Sequence, residues 1–143
     1  MMKWTSCVRV VLDTNILISA LITRNTPPDK LYQAWLRGEI ELVISDTQVA
    51  EIYDVLSRPR LRRFLDADEA DAIVENIATR ALIITELPVV NVSPDPKDNP
   101  VLASAIVGRA ELIVSGDKKH MLDLGEVEGI PIVTARKALE LMS

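Results

Sequence analysis

Two aspartates stand directly behind short apolar runs: Asp13 after Val10-Val11-Leu12, and Asp117 after Ile113-Val114-Ser115-Gly116. If those runs are parallel strands of one sheet, both carboxylates emerge at the rim where such sheets bind ligands. Two further acids sit in early turns of helical segments. Asp98 precedes Leu102 and Ala105 at i+4 and i+7, in line with an apolar stripe that should point it toward the sheet. Glu51 falls beside Val55, away from the Val49-Ile52-Leu56 stripe, and periodicity does not prefer it to Asp54. An isolated acid at a strand end commonly caps the next helix, so for Asp13 and Asp117 taken singly that reading stays open. Carboxylates gathered at one rim repel one another and need neutralising. A hard divalent cation, Mg²⁺ or Mn²⁺, suits a ligand set made only of oxygen. With one His and one Cys in the chain there is no zinc-type set.

The elements around these acids alternate. The run 9–12 reads as a buried strand. Pro27-Pro28 opens a helix through Trp35 that Gly38 closes, and Leu42-Val43-Ile44 is a second strand. Ser45 with Gln48 resembles a capping box, opening a helix that carries Val49, Ile52, Tyr53 and Leu56 on one face. Pro59 interrupts it, and a further helix covers 67–81. Leu82-Ile83-Ile84 is the third strand. Asp95-Pro96 looks like an N-cap with Pro at the first helical position, for a helix through Val107 that Gly108 ends. Leu112-Ile113-Val114 and Ile132-Val133 are the last strands, and Thr134 caps the closing helix. Short apolar strands alternating with helices predict a three-layer α/β/α sandwich around a central parallel sheet of four to five strands. The whole chain, 1–143, reads as a single domain.

Composition sets the outer limits. Hydrophobic residues at 48% and charged residues at 26% describe an ordinary globular chain. No apolar run approaches the roughly 20 residues that span a bilayer, and the opening stretch lacks the apolar core of a secretion signal. Cys7 alone cannot form an internal disulfide; it suits a reducing cytoplasm and reads as a small buried residue beginning a strand. A net charge of −5 argues against a broad basic nucleic-acid surface. It leaves room for an enzyme that draws nucleic acid in through a few cations and a metal. Aromatics at 3% exclude base stacking as the main mode of binding.

Val11-Leu12-Asp13-Thr14-Asn15 before an apolar helix resembles the opening of PIN domains. Ser45 through Glu51, Asp95-Pro96-Lys97-Asp98-Asn99-Pro100, and Val114-Ser115-Gly116-Asp117-Lys118-Lys119 continue the likeness in the family's order and spacing. The tail Gly129-Ile130-Pro131-Ile132-Val133-Thr134 extends it to about residues 8–140. Each motif is weak alone; four in register are specific. The likeness is greatest to the short prokaryotic group that serves as toxins of toxin–antitoxin pairs, the VapC-like ribonucleases.

The resemblance implies a metal-dependent endoribonuclease in which Asp13, Glu51, Asp98 and Asp117 hold one or two Mg²⁺ or Mn²⁺ ions. It implies products with a 5′-phosphate and a 3′-hydroxyl. Asn15 and Ser115 resemble polar residues that orient the acids or the scissile phosphate. Homodimerisation and an antitoxin partner are implied as well. Several positions keep a second reading: Asn15 and Asp95 as helix caps, His120 as a surface or packing residue, and Lys118 and Lys119 as phosphate contacts or a solvated helix start. Arg58, Arg60, Arg62 and Arg63 form the densest basic patch; RNA, an acidic antitoxin segment or plain solvation would each account for it, and Arg58 is the candidate substrate contact. A receiver domain would want an acidic pair before the first helix, and a haloacid-dehalogenase phosphatase an Asp where Asn15 stands. A dinucleotide fold would want glycines in the first turn. A PIN-like binding module without activity is the alternative; the presence of all four acids speaks against it.

Overall fold

The computed structural model describes residues 8–142; Cys7 and the opening stretch lie outside the described residues. Six strands form one sheet: β1 (Val8–Leu12), β2 (Ile40–Ser45), β3 (Leu82–Ile84), β4 (Leu112–Val114), β5 (Glu126–Val127) and β6 (Ile130–Val133). Six helices connect them: α1 (Thr14–Ile22), α2 (Pro27–Leu36), α3 (Asp46–Leu56), α4 (Ala67–Arg80), α5 (Asn99–Val107) and α6 (Ala135–Met142). The spatial order is β3-β2-β1-β4-β6-β5, parallel except for β5. From β1 the chain winds outward through β2 and β3, then returns to build β4 and β6 on the other side. The order therefore reverses between β1 and β4, which pair Leu12 with Val114. That reversal opens a crevice at the carboxyl ends of the two strands.

The apolar runs form strands because both faces of the sheet are covered. Val10, Leu12, Leu42, Ile44, Leu112 and Val114 join a core with α1, α2, α3, α4 and α6. The intervening Val11, Val43 and Ile113 turn the other way, onto Val101, Leu102 and Ala105 of α5 and onto Met121. Alternation of period two divides one continuous apolar run between two cores. Gly108 ends α5 close against β2: a Cβ there would stand 2.5 Å from Val43 Cγ1.

The sheet has one strand more than the sequence signals. β5 is two residues long, below the length at which alternation can be read, and joins β6 through Glu128 and Gly129. Both turn residues have positive φ, 46° and 81°, as a tight two-residue hairpin requires. Tyr53, expected on the buried face of its helix, is 54% exposed, because the packed face of α3 is carried by Gln48, Ile52 and Leu56. Among the described residues no helix is long and apolar enough to cross a membrane.

Candidate active site

Asp13 follows β1 and Asp117 follows β4 by three residues, so the crevice between the strands receives both. Asp13 is 9% exposed. It is the N-cap of α1, its Oδ1 accepting from the Ile16 N–H at 2.9 Å. Its Oδ2 accepts from Ser115 Oγ at 2.5 Å, and the same hydroxyl accepts from the Asp117 N–H at 3.0 Å. One fully buried serine thus ties the two strand-end acids together. Burial holds the Asp13 carboxyl above the usual carboxylate range. The hydrogen bonds from Ser115 and Ile16 oppose that shift, while the Asp117 and Glu51 charges add to it.

Asp98 ends a 3₁₀ turn (Pro96–Asp98) and stands at the N-cap of α5 without a side-chain cap bond. Its Oδ2 accepts from the buried Ser93 Oγ at 3.2 Å. Burial raises its pKa, Ser93 partly lowers it, and repulsion from Asp95, Asp117 and Asp13 raises it again. Asp117 goes the other way. The His120 N–H is the largest cause of its lowering, and the imidazole and the Lys119 N–H add to it. Its Oδ1 accepts both backbone N–H groups at 3.1 Å, and its Oδ2 lies 3.3 Å from His120 Nδ1.

A cavity of about 550 Å³ has Asp13, Glu51, Asp95, Asp98 and Asp117 in its walls, with Lys97 as its one cationic side chain. Tertiary placement chooses Glu51 over Asp54: Glu51 lines the cavity, whereas Asp54 pairs with Arg58 at 3.2 Å. Gln48 helps to fix this. The Gln48 N–H donates to Ser45 Oγ as a capping box requires, but its side chain does not fold back on Ser45. Its Nε2 instead donates to the Leu12 carbonyl at 2.7 Å, binding the first turn of α3 to the end of β1.

Several expectations change. The cap before α1 is Asp13, not Asn15; Asn15 is exposed and lines the cavity. Asp95 does cap, accepting from the Lys97 N–H at 3.0 Å, and also joins the acids. The turn beneath it is 3₁₀, which brings residues i and i+3 to one side, so Asp95 and Asp98 face together. His120 is no isolated surface residue. Asp95, Asp98 and His120 each offer a ligand atom within 4.8 Å of the others, and no other such trio is as tight among the described residues. The sequence pattern predicts one helix from Pro96 to Val107, whereas α5 begins only at Asn99 after the 3₁₀ turn, and the approach of His120 depends on the irregular turn after β4. Lys118 and Lys119 are exposed in that turn and are not part of a helix start. Neither they nor Arg58 line the cavity.

The carboxylates in the cavity walls are hard oxygens at a partly buried rim and fit a divalent cation of the Mg²⁺ class, while the tightest trio adds the imidazole of His120. Comparison with known proteins agrees with this architecture. A family model described as PIN domain matches residues 9–119. An uncharacterised protein of Methanocaldococcus jannaschii is 31% identical over 112 residues, 78% of this chain and 72% of that protein. The fold is similar to VapBC2 from Rickettsia felis bound to a DNA fragment from their promoter (TM-score 0.54, 15% identity, 87% of this chain and 97% of that one). It is likewise similar to FitAcB from Neisseria gonorrhoeae (TM-score 0.51, 14% identity, 89% and 98%). At such identities the structural likeness is one of fold alone.

Proposed function

Because the chain belongs to the PIN-domain family, we propose that its acidic cavity is the active site of a metal-dependent endoribonuclease, the toxin of a toxin–antitoxin pair. The observation that carries this reading is the meeting of Asp13, Glu51, Asp98 and Asp117 from four separate segments in one cavity. Such a concentration of like charge disfavours the fold unless it is used. These acids would hold one or two Mg²⁺ or Mn²⁺ ions, which when bound supply Lewis-acid activation of water and screening of the charge that develops at phosphorus.

The chain's own residues do the positioning. The Ile16 amide on Oδ1 and the Ser115 hydroxyl on Oδ2 fix the rotamer of Asp13 and leave each oxygen a further lone pair. The backbone amides of Lys119 and His120 hold Asp117 ionised. His120 Nδ1 lies 3.3 Å from Asp117 Oδ2, so the two side chains fix each other's orientation. Lys97 and Asn15, which line the cavity, would meet and orient a substrate phosphate, and Lys118 and Lys119, exposed in the turn after Asp117 and outside the cavity lining, would contact phosphates further along the strand. The reading extends to a single cytoplasmic nuclease domain that forms a homodimer and is held by an antitoxin. VapBC2 and FitAcB, which share the fold, support the pairing.

The test is cleavage of labelled single-stranded RNA by chelator-treated protein before and after Mg²⁺ or Mn²⁺ is added. Cleavage should appear only with metal. Undiminished cleavage in excess chelator would overturn the reading, and binding without cleavage at any metal concentration would replace it with that of a binding module.

A further inference from the structure

The net charge of −5 conceals one concentration of positive charge. Arg60, Arg62 and Arg63 stand on the 3₁₀ turn Pro59–Arg63 between α3 and α4, with Arg58 just before it. The turn is anchored: Leu61 and Leu65 are 5% and 3% exposed, and Arg62 Nη1 donates to the Leu56 carbonyl at 2.8 Å. Arg60, Arg62, Arg63 and Phe64 face solvent from this fixed base. Arg58 is engaged by Asp54. Among the described residues no carboxylate pairs with Arg60, Arg62 or Arg63. Of the acids that follow in sequence, Asp66 and Glu69 are engaged in the capping box of α4, and Asp68 forms no ion pair with the arginines among the described residues.

Two exposed rings belong to the same region. The Arg63 guanidinium lies 5.2 Å from the centroid of Phe64, which is 45% exposed. Tyr53, in the last turn of α3, is 54% exposed, whereas Tyr32 and Trp35 are buried. Guanidinium forks match phosphodiester oxygens, and exposed rings accept unpaired bases. A purely acidic peptide would satisfy the arginines without using the rings, whereas a nucleic-acid strand engages both. The turn also continues the element that serves the cavity. It follows directly on α3, whose Thr47 and Glu51 line that cavity.

We propose that the Pro59–Phe64 turn is a docking site for single-stranded nucleic acid, with Arg60 and Arg63 meeting phosphates and Phe64 stacking on a base. The proposal deepens the nuclease reading and rests on it for the class of ligand. It is tested by anisotropy with a labelled oligouridine and full-length protein in chelator, over a salt series. Arg60→Gln/Arg63→Gln should bind about tenfold or more weakly, and its slope of log affinity against log salt should shrink by about 1.4, near 0.7 for each lost contact. Phe64→Ala should weaken binding about 5-fold, less than loss of the arginines, and keep the parent's slope. All three side chains are exposed, so melting curves should match the parent and verify folding. Absence of binding by the parent, or parental affinity and slope in Arg60→Gln/Arg63→Gln, overturns the proposal. So does loss of a labelled polyglutamate peptide by that variant with oligouridine binding intact. A parent that binds oligouridine in chelator yet never cleaves RNA with metal removes the nuclease reading and leaves this one standing.

Discussion

Asp98→Asn removes one negative charge from the cavity while keeping its shape and an oxygen able to accept from Ser93 Oγ. Asp98 makes no side-chain cap bond at the start of α5, so no cap is lost, and Asn is as good a cap residue as Asp. Its carboxyl titrates above the ordinary range, through burial first and then through repulsion from Asp95, Asp117 and Asp13. A carboxyl with a raised folded-state pKa disfavours the fold at any pH above that value, so neutralising it stabilises the metal-free protein near neutrality. The site is only half-buried and solvent screens it, which limits the gain to about 0.5–1 kcal/mol. That corresponds to a rise in Tm of about 2–4 °C. Divalent metal should reverse the ranking. Saturation at about ten times Kd adds about 1.4 kcal/mol to the parent, and a variant lacking one ligand gains only a fraction of that. RNA cleavage should fall by about 100-fold or more. Melting curves in chelator and in Mg²⁺, with cleavage measured alongside, decide the matter. If the variant retains the parent's Mg²⁺ gain and full cleavage, Asp98 does not hold metal. If it melts clearly lower in chelator, the repulsion argument is wrong.

Ser115→Ala removes the fully buried hydroxyl that joins Asp13 to Asp117. It should cost about 2–3 kcal/mol by urea denaturation and lower cleavage about 10- to 100-fold, and a loss under about 0.5 kcal/mol would show that the bridge contributes little. Metal-free stability should rise as pH falls from neutrality toward the ordinary carboxylate range, because Asp13 and Asp98 have raised pKa values, and decline below that range as Asp117, whose pKa is lowered, is protonated. Tm against pH should show the rise, and Asp13→Asn should flatten it; an unchanged profile in that variant would place the effect elsewhere. Gly108→Ala puts a Cβ 2.5 Å from Val43 Cγ1 and should destabilise by about 1–3 kcal/mol, so a neutral result in thermal melts would mean that α5 can move off β2.

What the sequence determined by itself is whatever depends on short-range pattern. The apolar runs at 10–12, 42–44 and 112–114 became the central strands, and Thr26, Ser45 and Thr134 cap their helices by local hydrogen bonds. Asp13 and Asp117 were legible because a parallel sheet delivers every strand end to one rim. Tertiary structure alone decided which helix-borne acids join them. Glu51 and Asp54 lie on neighbouring faces of α3, and the Gln48 bond to the Leu12 carbonyl, across 36 residues of sequence, sets which one turns to the cavity. His120 reaches the cluster through an irregular turn that has no period to read. The order β3-β2-β1-β4-β6-β5 is likewise absent from local pattern, since pairing between distant strands depends on how both cores close. The two-residue β5 falls below any periodic signal, and only its pairing with β6 makes it a strand.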